Sequence, residues 1–321
     1  MKKLIRSFPL KVIALLILVI VSCILFLTYQ TYGNWDFALS LRSGKLIAFV
    51  LVGIATSFAT ITFQTLTHNQ FLTPNILGLD SLYTLVQTTI FFFFNGKQLL
   101  GSESVATFLL TIAIMVIFSV LLANFLLRKG QNNLFLLLMV GIILATLLNS
   151  ITTFLQVAMN PNEFDALQTK LFASFNNINS QYFPIAAIII LILVIFLWFK
   201  SLTLDVLHLG DDQATNLGIN IPSLQFSLLV VISSLIGVST ALVGPITFLG
   251  FIVANISYHF IGTYHHRQLF IGGSLIAIFL LIFGEFIVEQ VFKLNTPLSS
   301  VIEFTGGIYF IGKVIYERKN G

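Results

Sequence analysis

The chain has 321 residues, 57% of them hydrophobic and only 9% charged, with a formal net charge of +4 and a mean hydropathy of +0.99. A soluble domain carries about 25% charged residues, so a fully water-facing surface is excluded and a lipid bilayer must cover most of this one. A single cysteine, Cys23, excludes an intrachain disulfide and a cysteine-cluster metal site.

A membrane-spanning helix needs about 20 apolar residues. Ten runs fit, near residues 10–30, 45–66, 76–94, 104–127, 134–158, 182–200, 223–243, 245–262, 269–292 and 299–316. The expected fold is therefore all-α, a polytopic membrane protein of about ten helices, with residues 1–321 forming one transmembrane domain. The third and eighth runs are short or bounded by Gly and Pro. The alternating segments of an outer-membrane barrel are absent from the sequence. The first run is too long for a signal-peptide core and lacks a small-residue cleavage site, so it reads as a retained helix.

Basic residues set the expected orientation. With the N-terminus inside, Lys2, Lys3, Arg6, Lys11, Arg128, Lys129, Lys200, Arg267, Lys313, Arg318 and Lys319 fall on the cytoplasmic side. Arg42, Lys45, Lys97, Lys170 and Lys293 fall outside, and both termini are cytoplasmic. The net positive charge thus follows topology and requires no nucleic-acid partner.

Arg42 and Lys45 stand three residues apart at the outer start of the second run. They read either as cations snorkelling to headgroups or as a docking pair for an acidic partner, with Lys293 on the last outer loop as a third basic candidate. Asp80, after Gly78, reads as a helix cap. Along the fifth run Thr146, Asn149, Thr153, Gln156 and Asn160 step by three and four, which keeps them on one helical face. Such a stripe avoids lipid. It lines either a polar path or a hydrogen-bonded contact with another helix.

Between the sixth and seventh runs lies the longest inner loop, Lys200 to Pro222. Its middle, "LGDDQATNLGIN", reads as a short helix. Asp211 or Asp212 caps the first turn, Gly218 ends the helix, and Ala214 and Leu217 are spaced to share a face. This is either a surface turn or a helix shaped to enter a groove on a cytoplasmic protein. Ser233, Gly237 and Ala241 repeat every four residues, the small-residue pattern of closely packed membrane helices. Gly244–Pro245 breaks the chain before the eighth run. The five histidines show no ligand spacing with carboxylates, and His265–His266–Arg267 reads as an inner basic turn, so no metal site is expected.

Intramembrane carboxylates are functional candidates by default. Glu285 reads as having a structural hydrogen-bond partner. Glu303, near Gly306 and Gly307 and on a face with Ser299, Ser300 and Thr305, reads either as a substrate contact or as paired with a buried donor. No G-x-x-x-x-G-K-[ST] phosphate loop occurs, so this chain carries no ATPase motor, and no paired catalytic residues or zinc motif suggest an intramembrane enzyme.

From Leu41 to about Tyr316 the sequence resembles the permease subunits of ABC importers for iron-siderophores, haem and cobalamin. Five blocks carry the resemblance in the family's order: "LRSGKLIAFVLVGIATSFATITFQTLTHNQFLTPNILGLDS", "GDDQATNLGI", "VGPITFLGFIV" (with Gly244, Pro245 and Gly250), "HHRQLF" and "TPLSSVIEFTGGIYFIGKVIYERK" (with Gly306). Ser43–Gly44, Ala254–Asn255 and "LFASF" at 171–175 depart from the family pattern. The resemblance implies a cobalamin-importer-like fold and a complex of two permeases (the same chain or a homologue), two ATPase subunits that bind the ATP, and an extracytoplasmic binding protein. It implies that Asp211, Asp212, Ala214, Leu217 and Gly218 couple to the ATPase, and that Arg42, Lys45 and Lys293 dock the binding protein. It further implies that the fifth and tenth runs line the path of a ferric-siderophore. "NILGLDSLY" and "SSVIEFTGGIYF" look closest to the catecholate, petrobactin-type branch. The alternative from another class is an ion-gradient-driven transporter with Glu303, Glu285 or Asp80 carrying protons.

Overall fold

Inside lipid every backbone N–H and C=O must find a partner within the protein, and a helix provides these from its own segment. The computed structural model describes residues 2–30, 35–93, 105–127, 134–176, 178–293 and 296–320, and all regular structure among them is helical. The first half contains α1 (Lys2–Thr28), α2 (Trp35–Leu66), α3 (Leu79–Phe93), α4 (Val105–Leu127), α5 (Leu134–Val157) and α6 (Pro161–Leu171). The second contains α7 (Tyr182–Leu207), α8 (Asp211–Asn216), α9 (Ile221–Val243), α10 (Leu249–Ile261), α11 (His266–Phe286) and α12 (Leu298–Asn320). A 3₁₀ turn at Pro74–Leu77 leads into α3, and a π turn at Ile287–Val291 extends α11.

All ten apolar runs are helical. Among the described residues eight helices are long and apolar enough to cross a membrane. The third and eighth runs form the two shorter ones, α3 with 15 residues and α10 with 13. The largest boundary shifts are in α1, which begins at Lys2, α2, which begins at Trp35, and α7, which continues to Leu207. Of the basic residues that set the expected orientation, Lys97, Arg128 and Lys129 lie outside the described residues.

Helix α2 is the centre of the bundle. Together with α9 it is the most enclosed span, while α1, α5 and α12 keep most of their surface outside. Lipid tails are as apolar as leucine, so helices here associate through close packing rather than water exclusion. Small residues make that packing close. A Cβ on Gly273 of α11 would stand 2.4 Å from the Ser57 hydroxyl of α2, and one on Gly250 of α10 would stand 2.2 Å from that of Thr60. Ser233 and Gly237 bring α9 against α4, where Ser119 hydrogen-bonds Ser233 and Met115 faces Gly237.

The Gly244–Pro245 break sits under a sealed corner. Gly244 has φ +93, and a Cβ there would come within 2.7 Å of the Ala173 backbone. Ser174 N–H donates to the Val243 carbonyl at 2.9 Å, and the Ser299 hydroxyl donates to the Ala173 carbonyl at 2.8 Å. The turn is therefore shielded by protein, as irregular backbone at membrane depth must be.

Gly306 seats α12 on the residues that follow this corner. Its Cβ would lie 2.4 Å from Phe248 Cβ, which cannot yield without moving backbone, whereas nothing lies within 4 Å at Gly307. Overpacking costs about 1–3 kcal/mol. Gly306→Ala should lower the thermal unfolding midpoint of the purified chain in detergent by a few degrees, and Gly307→Ala should leave it level or raise it. Equal midpoints for the two variants would refute this packing.

Candidate functional site

Helix α5 leans on α3 and the 3₁₀ turn through its apolar side, where Gly141 lets the Ile76 carbonyl approach and Ala145 meets Gly78. The polar stripe is on a different side. Thr146, Asn149 and Thr153 are exposed and Gln156 is half-buried. The two threonine hydroxyls turn back onto their own helix, to the carbonyls of Ile142 at 3.0 Å and Asn149 at 2.9 Å. Only Gln156 reaches another helix among the described residues, through Nε2 to Thr88 Oγ1 at 3.5 Å. Interhelical bonding within the chain therefore accounts for one of these residues and leaves the others facing outward. Asn160 is corrected out of the stripe: α5 ends at Val157, and Asn160 is the residue before Pro161 at the start of α6.

On α12, Ser300 is half-buried and Glu303 and Thr305 are exposed, while Ser299 is buried. Glu303 has no hydrogen-bond partner among the described residues, so it is not paired with a buried donor. It lies near enough to Asp80 for the two carboxylates to repel. Asp80 occupies the first turn of α3 rather than capping it. Its Oδ2 accepts from Asn75 Nδ2 at 2.7 Å and faces the Thr247 hydroxyl at 3.5 Å. The start of α3 is thus the corner where α5, the turn after Pro245 and α12 come together.

The end of the bundle near α6 holds the outer basic residues of the sequence reading. Arg42 Nη1 reaches the carbonyls of Phe26 and Leu27 at 3.0 Å and of Tyr29 at 2.9 Å. These are orphan acceptors at the C-terminus of α1, and the cation there complements the helix dipole. Lys45 is ion-paired with Glu289 in the π turn and with Glu285 at 3.5 Å. Both cations are engaged inside the chain. Glu285 has the structural partner expected of it. Lys293, exposed and with φ +50, lines a cavity of about 610 Å³ together with Glu285, Glu289 and the segment after α6.

The opposite end carries α8. Gly210, with φ +113, takes the N-cap position, so Asp211 and Asp212 occupy the first turn instead of capping it. Asp211 Oδ1 meets His68 Nε2 at 3.2 Å. Gly218 takes the left-handed conformation, φ +83, and its N–H bonds the Thr215 carbonyl at 2.9 Å. Ala214 and Leu217 do not share a face, a second correction: Ala214 is fully buried against the bundle, whereas Leu217 is 67% exposed. Leu209, at the other side of α8, is 64% exposed. Behind them Asp205 joins His265 and His266, and burial together with the nearby His266 holds His208 below the ordinary histidine range. The sequence reading passed over this Asp205 cluster.

The fold and these surfaces define a polytopic membrane protein with a polar stripe exposed on α5 and a small attached helix at one end. The FecCD transport family model matches residues 8–316, and the chain belongs to that family. It is 43% identical over 308 residues to the petrobactin import system permease protein YclO of Bacillus subtilis (strain 168), covering 96% of this chain and 98% of that one. It is 38% identical over 277 residues to the petrobactin import system permease protein FatC of Bacillus anthracis, covering 86% and 78%. In fold it is similar to a solved metal-chelate type ABC transporter in an inward-facing conformation, with a TM-score of 0.84 at 20% identity, covering 97% and 99% of the two chains.

Glu285 is only 3% exposed, so removing its cation strands a buried charge. Breaking such a pair costs about 3–5 kcal/mol, whereas removing both charges is close to neutral. Lys45→Met should lower the unfolding midpoint in detergent, and Lys45→Met with Glu285→Gln should recover most of the loss. A double variant no more stable than the single one would contradict the pairing.

Proposed function

We propose that this chain is the membrane-spanning permease subunit of an ABC importer for ferric-siderophore complexes, of the petrobactin type named in its relatives. The carrying observation is the polar, uncharged stripe of Thr146, Asn149 and Thr153 exposed on α5, with Glu303 exposed on α12. Polar groups do not face lipid, so this face borders water or a second permease, and a path between two such faces suits a bulky chelate. Its threonine hydroxyls are already bonded to their own helix, and Glu303 is its one exposed carboxylate among the described residues. Such a wall stays wet without holding its cargo tightly.

Energy enters from separate ATPase subunits at the α8 end, since the sequence has no phosphate loop. Helix α8 suits that contact: buried Ala214 fixes it to the bundle, and Leu209 and Leu217 stand outward on either side of Asp211 and Asp212. In the orientation favoured by the basic residues this end is cytoplasmic, with both termini. A binding protein docks over the opposite end, at the cavity lined by Lys293. Arg42 and Lys45 shape that surface from beneath.

The test is reconstitution of the chain with its ATPase and binding protein in liposomes. Leu209→Asp with Leu217→Asp should abolish ATPase association and lower ferric-siderophore uptake at least tenfold, on the scale of losing apolar anchors from an interface, while the chain still inserts. Unchanged ATPase association would overturn the role of α8. Uptake by the chain alone on an ion gradient would overturn the importer reading in favour of a secondary transporter.

A further inference from the structure

Four elements converge on a buried cluster near α8, around one hydroxyl and one imidazole. Thr65 Oγ1, in the last turn of α2, lies 2.7 Å from His266 Nε2 and 3.0 Å from the Ile61 carbonyl. Tyr258 of α10 lies beside the same side chain. His266 opens α11 and is 1% exposed. Its Nδ1 lies 2.6 Å from Asp205 Oδ1, its backbone N–H donates to that oxygen at 2.7 Å, and His265 Nδ1 approaches Oδ2 at 3.2 Å. Asp205 is in the last turn of α7. A carboxylate only accepts here, so Nδ1 carries a proton. The single proton of Thr65 serves either the Ile61 carbonyl or His266 Nε2, not both.

This cluster is tied to α8 twice. Asp205 precedes Asp211 by six residues along the chain. His68, three residues beyond Thr65, contacts Asp211. From the cluster, unbroken packing leads to the polar face. The Gly273–Ser57 contact joins α11 to α2, and the Gly250–Thr60 contact joins α10 to α2. α12 then sits on α10 through Gly306 against Phe248 and through Lys313 hydrogen-bonded to Asn255.

The geometry points to the Asp205–His266–Thr65 cluster as the positioning element through which displacement of α8 reaches α2, α10 and α11 and, behind them, the path. This inference rests on the reading of α8 as the ATPase contact. Energetic coupling between distant sites needs a contiguous network with discrete arrangements, and a buried imidazole bonded at both nitrogens is such a joint. The removal of one hydroxyl should loosen it without changing the shape of the core.

The experiment uses the complete transporter in liposomes and measures ferric-siderophore moved per ATP hydrolysed. Thr65→Val keeps the volume and deletes the hydroxyl. It should leave ATPase association and hydrolysis near the parental level and lower the transport ratio about tenfold, within the usual range for coupled sites. Thr65→Ser, which restores the hydroxyl, should recover the ratio. Asp205→Asn, which keeps shape and removes charge, should lower it like Thr65→Val and serves if that variant does not insert. A parental ratio in Thr65→Val, or in Asp205→Asn where that serves, overturns the proposal. So does failure of both to insert while Thr65→Ser is intact, because the cluster then holds the fold alone. Retained ATPase association in the Leu209→Asp, Leu217→Asp chain would instead remove the reading of α8, so the two failures are separable.

Discussion

The close approach of α11 and α10 to α2 is the constraint on which the rest of this bundle depends. In lipid no water is released when two apolar helices meet, so attraction between them comes from short-range packing and a few hydrogen bonds. Short range demands small residues, and Gly273 and Gly250 supply them opposite Ser57 and Thr60. Larger side chains would hold the helices apart, and dispersion attraction falls steeply with even a small gap. Because this compact centre consumes α2, α9, α10 and α11, the spans α1, α5 and α12 lie at the edge. That placement, rather than any property of their own, opens the polar side of α5 and the Glu303 side of α12 to whatever lies outside the chain.

Charge follows a complementary logic. An ion in an apolar setting must be paired or placed at an end, and the ends of this bundle use charge to close joints. Arg42 satisfies the carbonyls that α1 leaves open, Lys45 ties α2 to the π turn after α11, and Asp205 ties α7 to the first residues of α11. Arg42 and Lys45, which look like binding groups in a linear sequence, are therefore also fasteners in three dimensions, and Asp205 is a third. Glu303 differs because no described donor approaches it.

How much of this was legible in the sequence depends on the range of the interaction. Span number was legible, because a run of 20 apolar residues is a local property, and the two weakest runs are the two short helices α3 and α10. The left-handed Gly218 was legible for the same reason. Helix α6 was hidden by its low hydropathy, although Asn160–Pro161 is a helix-start signature, and its neglect is why Asn160 was counted with the stripe. The pairing of Ala214 with Leu217 failed because α8 is only six residues long. Leu217 already lies past its end, where helical spacing no longer fixes direction. Partners of Lys45 and Arg42 were not legible: Glu285 and Glu289 are more than 200 positions away, and acceptance by backbone carbonyls leaves no trace in residue identity.

The arrangement also separates what is tightly joined from what is loosely joined. Helix α5 is attached mainly to α3 and the 3₁₀ turn, across a glycine at each side, Gly141 and Gly78. Contacts between a smooth helix and backbone allow sliding more readily than interdigitated large side chains, because no side chain has to change rotamer as the surfaces shift. By contrast, α2, α10 and α11 share a polar cluster whose bonds would all have to break together. Under the proposed coupling, a force applied near α8 moves the second group as a body, while α5 accommodates the difference at its glycine contact. Under the proposed function, α12, seated on α10, moves with that group, and α5 does not.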